Sequence, residues 1–136
     1  MPSETARKYS ENITQKLYET LHDEKFIEGN KVGQADFTRE RKLTFSNLCI
    51  FLMRGLRSSY QCELDRFFER LEGKQGVSVS KSAFTQARGK VKYGAFTELG
   101  QTLLEDYYRR PETREKWKGH RVVAIDGGTF RALQAQ

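Results

Sequence analysis

Apolar residues recur at the helical period in five successive stretches between Pro2 and Pro111. A half-buried strand alternates, whereas spacings of three and four place side chains on one stripe of a 3.6-residue helix. Ile13, Leu17 and Leu21 mark a first helix over about 4–24, with Ser3 or Thr5 as N-cap and a loop at Gly29, Asn30 and Gly33. Phe45, Leu48, Cys49, Leu52, Met53 and Leu56 form the second and most apolar stripe. Ser58 and Gln61 have capping-box spacing and open a third helix, with Leu64, Phe67, Phe68 and Leu71 inward and Gly73 and Gly76 closing it. Ser80 caps a fourth helix from Lys81 to about Lys90, with Ala83, Phe84, Ala87 and Val91 inward. After a break at Tyr93-Gly94, Phe96, Leu99, Leu103, Leu104 and Tyr107 build a fifth helix that Pro111 ends.

The texture then changes. Arg121 to Phe130 is β-branched, nearly uncharged and interrupted by Gly127 and Gly128, which reads as a buried strand and turn. A lone strand or hairpin has no stability in water. The expected fold is therefore mainly α. A bundle of about five helices fills 1–118, and a strand or hairpin at 119–136 begins something further. At 136 residues this is one domain with an appendage. The longest apolar run, Leu48 to Met53, is far short of the ~20 residues that span a bilayer. Met1 to Lys8 lacks the apolar core of a secretory signal, so a cytoplasmic location is expected. Cys49 and Cys62 are read as buried free thiols, and the isolation of His22 and His120 argues against a zinc site.

Charge is unevenly placed along the chain. Residues 1–36 carry a net −2, residues 37–94 a net +7 and residues 95–136 a net +1. Between Gly73 and Ala95 there is no acidic residue, against Lys74, Lys81, Arg88, Lys90 and Lys92. A localised positive field attracts polyanions, double-stranded DNA foremost. Arg39, Arg41 and Lys42 precede the second helix, where they oppose its dipole, and an external anion would account for them.

The fourth helix offers Lys81, Ser82, Thr85, Gln86 and Arg88 outward, with Lys90 and Lys92 just beyond. Arg is suited to guanine and Gln to adenine, while Lys, Ser and Thr suit phosphates and the helix start at Ser80 adds amide donors. Gln86 and Arg88 are the candidates for base edges. The preceding connection, Glu72 to Ser80, is longer than in a strict helix-turn-helix. A merely solvated basic helix is the plain alternative. Asp126 ends the apolar Val122–Ile125 run ahead of two glycines, a place where a carboxylate can reach a divalent metal, although Asp-Gly is equally a hairpin turn.

Five blocks in order carry a resemblance: Asp36 to Arg39 with Arg41-Lys42-Leu43, Gln61 to Phe68, Val79 to Arg88, Phe96 to Leu99, and Trp117 to Gly128. Together they resemble bacterial DDE transposases of the insertion-sequence-four type. The resemblance implies that Asp126 is the first carboxylate of the catalytic triad, on the first strand of a ribonuclease-H-like domain. It also implies Mg²⁺ or Mn²⁺ as the metal of the intact enzyme, which cleaves and joins DNA strands. The helical part would grip terminal inverted repeats, in a homodimer or beside full-length transposase. The second Asp and the Glu of the triad have no counterpart in these 136 residues, so the expected activity here is DNA binding without catalysis. Two other readings are a freestanding helical DNA-binding regulator that competes with full-length transposase, and a protein-interaction bundle whose basic stripe meets an acidic partner or a second transposase subunit.

Overall fold

The computed structural model describes residues 4–39, 42–55, 57–76, 78–110 and 118–120. They form six helices: α1 (Glu4–His22), α2 (Glu24–Asn30), α3 (Phe45–Met53), α4 (Tyr60–Glu72), α5 (Lys81–Arg88) and α6 (Gly94–Arg109). No strand occurs among the described residues; the nearest feature is an isolated antiparallel bridge between Lys31 and Val91. The mainly helical expectation therefore holds. The expected C-terminal strand lies outside the described residues.

The additional helix is α2. Asp23 interrupts the first helix, and its side chain accepts from the Lys25 N–H, capping a new turn that Glu24 begins with favourable charge. Gly29-Asn30 therefore ends a helix rather than forming a loop. The Asn30 amide donates to the Phe26 carbonyl at 3.0 Å and to Glu98 at 2.8 Å, while the Lys92 ammonium donates to the Gly29 carbonyl at 3.0 Å.

Helix α3 is the keel because it has two buried faces. Phe45 and Cys49 meet Leu21, Phe26, Ala95 and Leu99 from α1, α2 and α6. Leu48 and Phe51 meet Leu64, Phe67, Phe68, Val79, Phe84 and Ala87 from α4, α5 and the segment between them. Each such Leu or Phe contributes about 1.5–3 kcal/mol on burial. Ser46, also buried, donates at 2.6 Å to the Leu21 carbonyl and so satisfies a free acceptor at the end of α1.

Several sequence expectations change. Cys62 is exposed, whereas Cys49 is buried as expected. Met53, Leu71 and Leu104 are 42%, 50% and 54% exposed, because each stands at or beyond the edge of its packed stripe. Ala83 is exposed rather than inward. The N-cap of α4 is Ser59, whose hydroxyl accepts from the Cys62 N–H, while Ser58 donates instead to Glu63 at 2.8 Å. Glu63 is held below the usual carboxylate range by that hydroxyl and by Arg66, despite burial.

Candidate nucleic-acid interface

Helix α5 is positioned by its predecessor. Ser80 caps it, accepting from the Ala83 N–H at 3.1 Å. Gln61 of α4 reaches across and accepts from the Lys81 N–H at 3.0 Å, while its amide donates to the Val79 carbonyl at 3.1 Å and Asp65 at 2.8 Å. Ser78 donates to the same Asp65 oxygen at 2.7 Å. Ser78 and Gln61 together hold the Asp65 carboxyl below its ordinary range. This cluster fastens Ser78, Val79 and the start of α5 to α4, and Phe84 and Ala87 seat the helix in the core. It also engages two of the amides at the helix start, Lys81 and Ala83, leaving less there for an anion than the sequence promised.

A second segment is brought alongside. Backbone bonds from Val32 N–H to the Lys90 carbonyl and from Lys92 N–H to the Asn30 carbonyl, both 2.9 Å, tie the end of α2 to the end of α5. The chain then turns at Gly33, whose N–H donates to Asp36 at 2.8 Å, and Asp36 pairs with Lys90 at 3.2 Å. The Gly33 N–H, and after it Lys90, lower the Asp36 pKa against the opposing effect of burial. Phe37 adopts a left-handed backbone (φ 59°), uncommon for a bulky residue, and is anchored edge-on against Phe45 with ring centroids 5.5 Å apart. That anchor delivers Thr38 and Arg39 to the rim of a groove.

The groove, about 620 Å³, runs between this loop and α5. Phe37, Leu43, Val79, Ala83 and Ala87 line it with apolar surface. Arg39, Lys42, Ser80, Gln86 and Lys90 supply its polar rim. Arg39 and Lys42 are about forty positions or more from the α5 residues in the sequence, and the fold joins them.

The remaining expected residues take other positions. Ser82, Thr85 and Gln86 are exposed on the outer face of α5. Gln86 and Arg88 lie two residues apart, about 200° around the helix, so they do not share one edge. Lys81 and Arg88 share the flank away from the groove, seven residues apart on one stripe. Thr85 donates to the Lys81 carbonyl at 2.9 Å, and the Gln86 amide is 3.5 Å from the Ser82 hydroxyl. Lys92 is turned to the end of α2. Among the described residues, Arg39, Lys42, Lys81 and Arg88 have no carboxylate partner. Arg41 and Asp126 lie outside the described residues.

Three contributors lie outside the set of site residues expected from the sequence: Gln61, Asp36 and Phe37. Gln61 falls within a capping-box spacing, and its polar position ahead of the α4 stripe is the signal the sequence carries. The Gly33/Asp36 spacing of a tight turn was likewise present. Nothing in the sequence marks Phe37 as an anchor.

Among the described residues no group of three or more His, Cys, Asp or Glu side chains could hold a metal ion. No helix among them is long and apolar enough to cross a membrane. No family model matches the chain, and neither does any curated protein or solved structure.

Proposed function

We propose that this chain is a DNA-binding unit, the N-terminal portion of a DDE transposase of the insertion-sequence-four type. The observation that carries the binding function is the disposition of charge about α5: an exposed polar face with cations on both flanks. Lys81 and Arg88 stand on one flank, and Arg39, Lys42 and Lys90 on the other. With its side chains an α-helix is about 10–12 Å across, and the major groove of B-DNA is about 12 Å wide. A helix seated there meets base edges with its outer face and a phosphate backbone with each flank. Gln86 then reads an adenine edge, with Ser82 and Thr85 beside it. Arg88 serves a phosphate, as do the four other flank cations, and Arg41 is assigned with Arg39 and Lys42. Gln61 and Phe37 position these groups without touching DNA.

The transposase assignment rests on the five-block resemblance. On it, residues 1–118 form the DNA-binding region and 119–136 begin a ribonuclease-H-like catalytic domain. Asp126 would be the first of three acidic ligands and would bind Mg²⁺ or Mn²⁺, which supports strand cleavage and joining in the intact enzyme.

Titration with short duplex DNA at low and moderate salt, with Lys81/Arg88→Glu as the paired variant, tests the binding function. The expected result is binding that weakens steeply with salt and is lost in the variant. Absence of binding at low salt, or binding indifferent to the substitutions, refutes it.

A further inference from the structure

Among the described residues lining the groove, Asp36 is the sole carboxylate. An acid is out of place where phosphates are to bind, yet the local backbone is shaped around it. One oxygen accepts from the Gly33 N–H at 2.8 Å, and the other faces the Lys90 ammonium at 3.2 Å. A Cβ at position 33 would stand 2.9 Å from the first oxygen, so glycine is what lets the carboxylate approach. The Asp36 side chain is 19% exposed and that of Lys90 46%, so Lys90 can leave the pair from the solvent side. Lys31, the other cation beside Asp36, is committed to Glu28 and to the Gln34 carbonyl. Of the groove's three described cations, Arg39 and Lys42 have no carboxylate partner among the described residues, and Lys90 alone is engaged by an acid.

We infer that Asp36 is an internal competitor for the DNA phosphate that binds Lys90. In the free protein Lys90 is paired with Asp36; in the complex a backbone phosphate takes its place. The exchange is unfavourable for a sparse or singly charged anion. It becomes favourable when neighbouring phosphates engage Arg39 and Lys42 at the same time, so Asp36 raises the charge density a ligand must present. This inference rests on the DNA-binding reading and adds a control element to the same site.

The test is a double-mutant cycle on duplex affinity across a salt series, using wild type, Asp36→Asn, Lys90→Gln and the double variant. Asparagine keeps a carbonyl for the Gly33 N–H while releasing Lys90. Lys90→Gln is expected to reduce the salt slope by about 0.9, the loss of one phosphate contact. Asp36→Asn is expected to tighten binding about two- to five-fold, the worth of an exposed ion pair, with the slope unchanged. In the Lys90→Gln background the same change is expected to gain nothing.

A slope unaltered by Lys90→Gln overturns the inference, as does Asp36→Asn without tighter binding. Equal tightening in both backgrounds also overturns it, because simple repulsion by Asp36 would then suffice. These results leave DNA binding itself intact, whereas a wild-type protein that binds no duplex removes both. If Asp36→Asn fails to fold, as circular dichroism would reveal, Lys90→Gln alone still decides whether Lys90 meets a phosphate.

Discussion

The two cysteines show how far position within a stripe governs chemistry. Burial pushes the Cys49 thiol up to about 12, so its thiolate is scarce at neutral pH, while Cys62 stands exposed on α4. A thiol reagent should therefore modify one cysteine rapidly in the native protein and both after denaturation; rapid loss of both in native buffer would contradict the packing. The distinction was legible in part. Cys62 is two residues, about 200°, from Leu64, which puts it opposite the buried face of its helix. Leu71 has the right phase to be buried but lies at the last turn of α4, beyond the reach of α3. That kind of exposure depends on where a partner ends, which periodicity does not encode.

The carboxylates give the pH dependence at the same scale. Asp36, Glu63 and Asp65 each have a folded-state pKa below the ordinary value. A depressed pKa stabilises the fold above the unfolded-state value, and that contribution is lost as pH falls through the folded-state one. Urea midpoints are expected to hold from neutrality to about pH 5 and decline below it. Asp65→Asn should lessen the decline, and a midpoint that rises on acidification would oppose the assigned hydrogen bonds.

Among the elements, α5 is short and depends on its attachments. Ser80→Ala is expected to cost about 0.5–2 kcal/mol by removing the cap. Gln61→Ala should leave α4 intact but loosen the start of α5, read as faster amide exchange at Lys81 and weaker duplex binding; unchanged exchange would mean that the core alone fixes the helix. By contrast, Leu64→Ala should destabilise the whole α3–α5 cluster by about 2–5 kcal/mol in chemical unfolding. The apolar stripes revealed the long helices because each buries one continuous face. Helix α2 was hidden because Asp23 begins it only one residue after α1 ends, so two caps and one stripe merge into a single pattern. Its clue was Asp23 followed by Glu24, a start signal inside an apparent helix. The groove was invisible in the sequence, since it arises from the pairing of residues 30–32 with 90–92, a contact between distant segments.

In the whole molecule, the basic middle of the chain folds largely into one cluster. The net +7 of residues 37–94 sits mainly in the connections, at Arg54, Arg57, Lys74, Lys90 and Lys92, with a net +2 each from α5 and the loop before α3 against a net −2 on α4, while α1 and α2 belong to the net −2 segment. On the DNA-binding reading, a field so divided draws a polyanion toward the half of the molecule that holds α5. If two separate rows of cations flank α5 and each meets a phosphate backbone, the salt dependence of duplex binding reports both. Affinities measured across a salt series for wild type, Arg39/Lys42→Gln, Lys81/Arg88→Gln and the fourfold variant report how many phosphates each flank engages. Each pair of substitutions should reduce the slope by about 1.8, and the reductions should add in the fourfold variant because the flanks meet different strands. A slope that ignores either pair, or a wild-type affinity independent of salt, would contradict α5 as a groove-seated helix.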